Sequence, residues 1–232
     1  MSRFAQLAAL VMIAVATACD PYAQGNGVYL EVERTPGPFA GVHVDDAIAA
    51  TATVSAGAAH GVHVSGDANL LEYVKTQVRA LDVRGVSVDV LHVWIEEPSG
   101  GYSPTIPIRA SIVLPALRYL GAVGAAHLEA SGIAAQELDV TAASGGDLEA
   151  SGPGGATLYA VVDGASVDLD AYPVDTLADV RVTGRSTVGV SASATLTGEA
   201  RGAGTVVTNA VTAAVCTLAT YEGAAGPCAP PP

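Results

Sequence analysis

Lysine is almost missing from this chain. Lys75 is the only one among 232 residues, and arginine raises the basic total to just 10 against 23 acids. The formal net charge is −13, and it becomes −14 without residues 1–18, whose only charged side chain is Arg3. Neutralising phosphates takes a basic stripe, so this balance argues against nucleic acid and against docking on anionic lipid by charge alone. Aromatic residues are also scarce, at 5 %. β-Sandwich hairpins lean on large aromatic cross-strand pairs, whereas a chain dominated by Ala, Val and Gly suits a thin, layered core. Phosphate loops, nucleophile elbows and Cys/His pairs are absent. No catalytic residue, cofactor or metal ligand is therefore assigned. The one N-terminal apolar run, Leu7 to Val15, is too short to span a bilayer.

What the chain does have is a repeat. Leu128, Leu138, Leu148 and Leu158 stand ten residues apart, and Val167/Leu169, Val180/Val182, Val188/Val190, Leu196 and Val206 continue the pattern more loosely. Small-residue turns separate the anchors, among them Ser131-Gly132, Ser144-Gly145-Gly146, Ser151-Gly152 and Thr197-Gly198. Within the units apolar and polar residues alternate, as in Ser166-Val167-Asp168-Leu169-Asp170. Period-two alternation makes a half-buried strand. Strands of about five residues cannot bury a face alone, and stacking successive units supplies the partner. The expected fold is all-β: a right-handed parallel β-helix (β-solenoid) with short strands about every ten residues. An antiparallel sandwich, which also shows strands every 8–12 residues, is the alternative.

Residues 1–18 have the form of an export signal: a short positive start, the apolar run, then Ala16-Thr17-Ala18 as a small-residue cleavage site. Val15-Ala16-Thr17-Ala18-Cys19 resembles a bacterial lipobox. That resemblance implies lipidation of Cys19, a membrane anchor and a place in the cell envelope; ordinary cleavage leaving a free Cys19 is the other possibility. Residues 19–27 then form a lipidated flexible tether, 28–210 the solenoid domain, and 211–232 a C-terminal cap (strand or short helix) with a loose Pro-rich tail. Ser65-Gly66-Asp67 is expected as a turn, like Pro36-Gly37-Pro38. In an exported protein Cys216 and Cys228 can pair as a disulfide or remain two free thiols.

Gly61-Val62-His63-Val64-Ser65-Gly66-Asp67-Ala68-Asn69-Leu70-Leu71, followed later by Leu-x-Val strands punctuated with Ser-Gly pairs, is similar to the auto-transporter adhesin head GIN domain family. The resemblance covers roughly residues 28–210 and implies a parallel β-helix of the bacterial envelope with no established activity. It departs from the family's repeated Ser-Gly-Ser-Gly at Ser144-Gly145-Gly146, Ser151-Gly152-Pro153-Gly154 and Thr183-Gly184-Arg185-Ser186.

Four groups of side chains could carry chemistry. Asp168 and Asp170 share a strand face with Asp179 near the next strand, a placement that calcium-binding lyases use, but only Arg181, Arg185 and Arg201 stand by as bases. Asp147, Glu149 and Glu129 read, like these, as a solvated outer face. His60 and His63 have H-x-x-H spacing with His43 on a comparable strand, and zinc would need further ligands. His92 and Trp94 share a face with Tyr102 in the following loop, which suits either a sugar platform or a small satellite core. The expected function is that of a non-enzymatic envelope lipoprotein presenting a solenoid surface to a protein or glycan partner. A polysaccharide-acting β-helix enzyme and a structural spacer are the alternatives.

Overall fold

The computed structural model describes residues 22–98, 101–211 and 213–228. The expected export signal and Cys19 lie outside these residues, as do the last four residues of the chain. The described residues contain strands and no helix. The first half contributes β1 (Ala23–Gln24), β2 (Tyr29–Arg34), β3 (Gly41–Val44), β4 (Ala49–Val54), β5 (Gly61–Asp67), β6 (Val74–Val83), β7 (Val86–Ile95), β8 (Tyr102–Ser103) and β9 (Arg109–Leu114). The second half contributes β10 (Tyr119–Val123), β11 (His127–Ser131), β12 (Glu137–Ala143), β13 (Asp147–Ala150) and β14 (Gly155–Asp163). It continues with β15 (Ser166–Thr183), β16 (Thr187–Ala192), β17 (Thr195–Arg201), β18 (Val206–Asn209) and β19 (Val215–Tyr221).

Alternation works as expected: in β11, Leu128 and Ala130 are buried while Glu129 and Ser131 are exposed. Strands ten residues apart, however, do not pair with each other. β10, β12, β14, the second half of β15, β17 and β19 pair in succession, all parallel. β11, β13, the first half of β15, β16 and β18 form a second parallel series. Leu128 stacks on Leu148, and Leu138 on Leu158. One coil is thus 20 residues long in this stretch and contributes one strand to each of two facing sheets. The result is a β-solenoid of about 5 turns. Inward rows, such as the stacked Leu138, Leu158, Ala178 and Leu196, are fully buried. Mixing Leu with Ala in one row keeps the core thin.

Two details differ from expectation. The separate strands foreseen at Val167/Leu169 and Val180/Val182 are one 18-residue strand, β15, which serves both sheets. It turns the corner around Pro173, where the register shifts and Tyr172 is buried with its hydroxyl donating to the Ala135 carbonyl. The stack also does not stay parallel to its N-terminal end. β3 and β4 extend the two parallel series, but β5 runs antiparallel to β9 and β2, and β6 antiparallel to β7. A parallel neighbour needs a long crossover, whereas an antiparallel one closes with a short turn. The β6–β7 turn is Arg84-Gly85, with φ of +52° and +82°. Tight two-residue hairpins demand such left-handed pairs, which Gly85 adopts without a Cβ clash.

Ser65-Gly66-Asp67, expected as a turn, is the end of β5. Asp67 is fully buried and accepts the N–H groups of Gly27 at 2.7 Å and of Thr105 and Ile106 at 2.8 Å each. Burial alone would raise its pKa, but the Ile106, Gly27 and Thr105 donors together hold it below the usual carboxylate value. Asn69 accepts the Asn26 N–H and donates to the Gln24 carbonyl, and β1 pairs with β8. The described part of the expected tether is therefore fixed rather than flexible, because these side chains satisfy its backbone. At the other end the cap is the strand β19, not a helix. Ala225 bridges to Val206, and Cys216 and Cys228 form a disulfide with Cα atoms 5.4 Å apart, so the tail is held up to residue 228.

Leu138→Ala is expected to lower stability by about 2–5 kcal/mol in urea denaturation, since its cavity opens between two coils. Asp67→Asn is expected to destabilise the N-terminal end, read as faster amide hydrogen exchange at residues 25–28 and 105–108. Because the Asp67 carboxylate titrates low in the fold, its stabilisation is present above the unfolded value near 3.8 and fades as pH falls through the folded one. Acid unfolding of the wild type should therefore carry a contribution that Asp67→Asn lacks.

Candidate functional site

Among the described residues, the outward face of the first sheet brings His43, Asp45 and His92 together. Alternation turns Val42 and Val44 inward on β3, so His43 faces out with Asp45 just beyond the strand; on β7, Leu91 and Val93 point in while His92 and Trp94 face out. The parallel register sets His43 directly opposite His92. Asp45 joins them: its Oδ1 lies 2.8 Å from Nε2 of His43 and its Oδ2 lies 2.6 Å from Nε2 of His92. On the other side of His43, Nδ1 is 3.1 Å from the Tyr119 hydroxyl. The His92 ring stacks on Trp94 with centroids 4.6 Å apart, and the Arg79 guanidinium lies 4.8 Å from the Trp94 ring.

Two features make room for this cluster. The next position in the register is Gly121, where a Cβ would run into Nδ1 of His43 and the Tyr119 hydroxyl. Its backbone is not left-handed, so glycine serves here as empty space. The β6–β7 hairpin supplies a wall. Its tip folds across the sheet: Arg84 pairs with Asp139 at 2.7 Å and lies 3.2 Å from the Tyr159 ring centroid. Beneath it Val83, Val88, Val90 and Tyr119 form a separate small apolar cluster. Between hairpin and sheet lies a cleft of about 230 Å³, lined by His43, Arg79, Ala80, Leu81, Val90 and His92.

Burial lowers the His43 pKa, and neighbouring His92 adds to this while Asp45 opposes it. Burial also raises the Tyr119 pKa, so the hydroxyl keeps its proton and can donate to or accept from His43.

The other sheet carries the acids singled out from the sequence. Thr51, Glu129, Glu149 and Asp168 fall in one in-register row, and with Thr53, Ser131, Ser151 and Asp170 they line an open groove of about 420 Å³. Burial, reinforced by Asp168, raises the Asp170 pKa. Asp179 is not part of this group. It pairs with Tyr159 and Thr197 on the opposite sheet, because β15 turns the corner between it and Asp168. The arginines are elsewhere too: Arg181 sits by Asp179, and Arg201 by Glu199 and Tyr221. Asp147 contacts His127 at 2.9 Å, and Glu129 contacts the same ring at 3.1 Å. Glu129, then burial in opposition, then Asp147, set the His127 pKa above the ordinary value.

The H-x-x-H pair does not converge. His60 binds the Phe39 backbone, whereas His63 faces Glu31 on β2 at 3.4 Å. The aromatic group is also divided: Trp94 stays with His92, while Tyr102 pairs with Ala23 in β1 and β8. The cluster that does form joins His43 to His92 across 49 positions. The local signal was the pair of alternating segments, each carrying an outward histidine; their register was the missing link.

In an NMR titration of the imidazoles, His43 is expected to titrate below 6.5 and His127 above it. Asp45→Asn should lower the His43 midpoint further, since the carboxylate holds it up. The linked stabilities have opposite signs. His43 favours its neutral form in the fold, so acidification below about 6.5 removes stability. The His127 contribution is present below that value and is lost as pH rises through the folded midpoint.

The sequence matches the family model described as "Putative auto-transporter adhesin, head GIN domain" over residues 38–209. None of the curated proteins matches. Among solved structures, the fold is similar to that of a "putative adhesin" from Bacteroides fragilis NCTC 9343, with TM-score 0.61 and 12% identity over 88% of this chain and 98% of that one. It is also similar to a "putative lipid binding protein" from Parabacteroides distasonis ATCC 8503, with TM-score 0.55 and 12% identity over 89% and 99% of the two chains. A "putative adhesin" from Parabacteroides merdae ATCC 43184 aligns with TM-score 0.51 and 18% identity over 88% and 98%. At these identities the likeness concerns the fold, but the sequence match spans most of the solenoid, and the chain belongs to the auto-transporter adhesin head GIN domain family.

Proposed function

We propose that this chain is a non-enzymatic lipoprotein of the bacterial cell envelope, anchored through a lipid on Cys19, whose solenoid presents an outer face to a protein or glycan partner. The observation that carries this reading is the in-register stacking of outward side chains. Successive coils repeat every 4.7–4.9 Å, so polar positions such as Thr51, Glu129, Glu149 and Asp168 form a row along an open groove rather than an enclosed pocket. An extended partner can lie along such a row, whereas small substrates are held in concave sites. The adhesin names of the family and of two similar structures agree with a surface role.

The exposed apolar residues support the anchor. Tyr22, Val28, Tyr29 and Leu30 are all exposed and follow Cys19 within eleven positions. Among the described residues β2 pairs only with β5, which leaves its other edge open. With a lipid on Cys19 this end faces the bilayer, and the disulfide-closed end stands off by about 40 Å, the rise of nine strands at strand spacing.

Cells labelled with palmitate should incorporate it into the wild-type chain and not into Cys19→Ser; labelling that survives the substitution refutes the anchor. On a glycan array, saturable binding that weakens in Glu149→Ala supports presentation of the groove. Release of unsaturated sugar products from polysaccharide would favour a lyase instead.

A further inference from the structure

His43, Asp45 and His92 have a donor set that goes unused in the surface role proposed above, and they are already drawn together. One ligand atom from each lies within 4.8 Å of the other two. All three residues remain partly accessible, with side chains 22%, 27% and 20% exposed. We propose that they form a binding site for one borderline divalent transition-metal ion of the Zn²⁺ class, with two imidazole nitrogens and one carboxylate oxygen as protein ligands and the open position facing the cleft beneath the β6–β7 hairpin.

The geometry requires a local closing of the three donors around the ion. Two ligands held about 2.0 Å from a tetrahedral ion sit about 3.3 Å apart. The 2.8 and 2.6 Å contacts run to different oxygens of Asp45, so one oxygen would turn to the ion while the three donors, within 4.8 Å of one another, close toward that spacing. Nitrogen and oxygen donors without thiolate suit Zn²⁺ and its transition-metal neighbours rather than Ca²⁺ or Mg²⁺, which prefer all-oxygen shells.

The surroundings are also those of a metal centre. A ligating histidine is normally oriented through its second ring nitrogen, and the Tyr119 hydroxyl stands at Nδ1 of His43. It can donate to that nitrogen while Nε2 bonds Asp45, and accept from it once Nε2 is given to an ion. Gly121 leaves the space that ring and hydroxyl occupy, and the roughly 230 Å³ cleft gives an ion and its remaining water or partner ligand a way in.

The test is a Zn²⁺ titration of the untagged chain by calorimetry, with Cys19→Ser removing the one thiol outside the disulfide. Trp94, the only tryptophan, stacks on His92 and reports the site independently, because Co²⁺ or Cu²⁺ bound there quenches its emission. One equivalent of Zn²⁺ is expected to bind. His43→Ala, His92→Ala and Asp45→Asn should each weaken binding and quenching by about tenfold or more, and Tyr119→Phe should do so less severely. The double variant His60→Ala/His63→Ala should bind like the wild type. Circular dichroism identifies any variant that fails to fold, and the conservative His43→Gln and His92→Gln then take its place. Absence of saturable binding at about 100 μM Zn²⁺ overturns the site. So does binding that persists in both His43 and His92 variants, or that is lost only with His60 and His63.

Discussion

Every strand of the repeat depends on hydrogen bonds to strands about one coil away along the chain. A five-residue ribbon has one apolar face and two unpaired edges; neighbouring coils satisfy the edges, and the facing sheet covers the apolar face. This constraint selects the side chains. In the inward rows Leu128 lies on Leu148, which is followed by Val167, Val188 and Val207. Bulkier residues would push the sheets apart, and a polar one would be buried between two coils without a partner. The same register acts outside. Glu129, Glu149 and Asp168 are held at strand spacing, where each like-charged pair costs about 1 kcal/mol in water. Thr51 and Gly189 end the acidic row, and His127 sits beside it with two carboxylates.

A stack of this kind must end, and its two ends are closed differently. At the C-terminus the residues after β19 return to bridge Val206, and the Cys216–Cys228 disulfide ties them to the last strand. At the N-terminus the chain leaves the parallel pattern for antiparallel strands, fastened by a buried carboxylate and an amide. The Gly66-Asp67-Ala68-Asn69 segment, part of the family signature, serves this closure: Asp67 and Asn69 bind the backbone of residues 24–27 and 105–106. Asp67 and Asn69, the polar residues of that segment, are thus structural.

The solenoid was legible because its cause is local. Alternation at Val167/Leu169 or Leu128/Ala130 is a property of neighbouring residues, and its recurrence announces stacking. The ten-residue period left the pairing of strands open: equal spacing fits one strand per coil as well as two, and only the facing of Leu128 with Leu148 settles it. Ser65-Gly66-Asp67 reads as a turn in the sequence because the three N–H donors of Asp67 come from residues 38 to 40 positions away. Asp168 and Asp179 are near each other in the chain, but β15 carries them to opposite sheets. The Arg84-Gly85 hairpin left the weakest signal, since arginine is an unusual choice for a left-handed turn position. Its compensation lies far along the chain, at Asp139 and Tyr159.

The histidine cluster belongs where parallel stacking gives way to the hairpin, and a regular part of the repeat could hardly hold it. In mid-stack an outward side chain meets only its neighbours above and below and the solvent, which suits long open rows. Two histidines can be placed opposite one another there, but nothing would shield them or complete a third side. At the junction, β3 and β7 supply the opposed pair, the residue after β3 supplies the carboxylate, and the folded hairpin supplies a wall. Gly121 on the next coil leaves the surface hollow where any other residue would fill it. The irregular end that the solenoid requires for closure is thus also where its flat surface acquires depth, and depth is what a selective polar site needs.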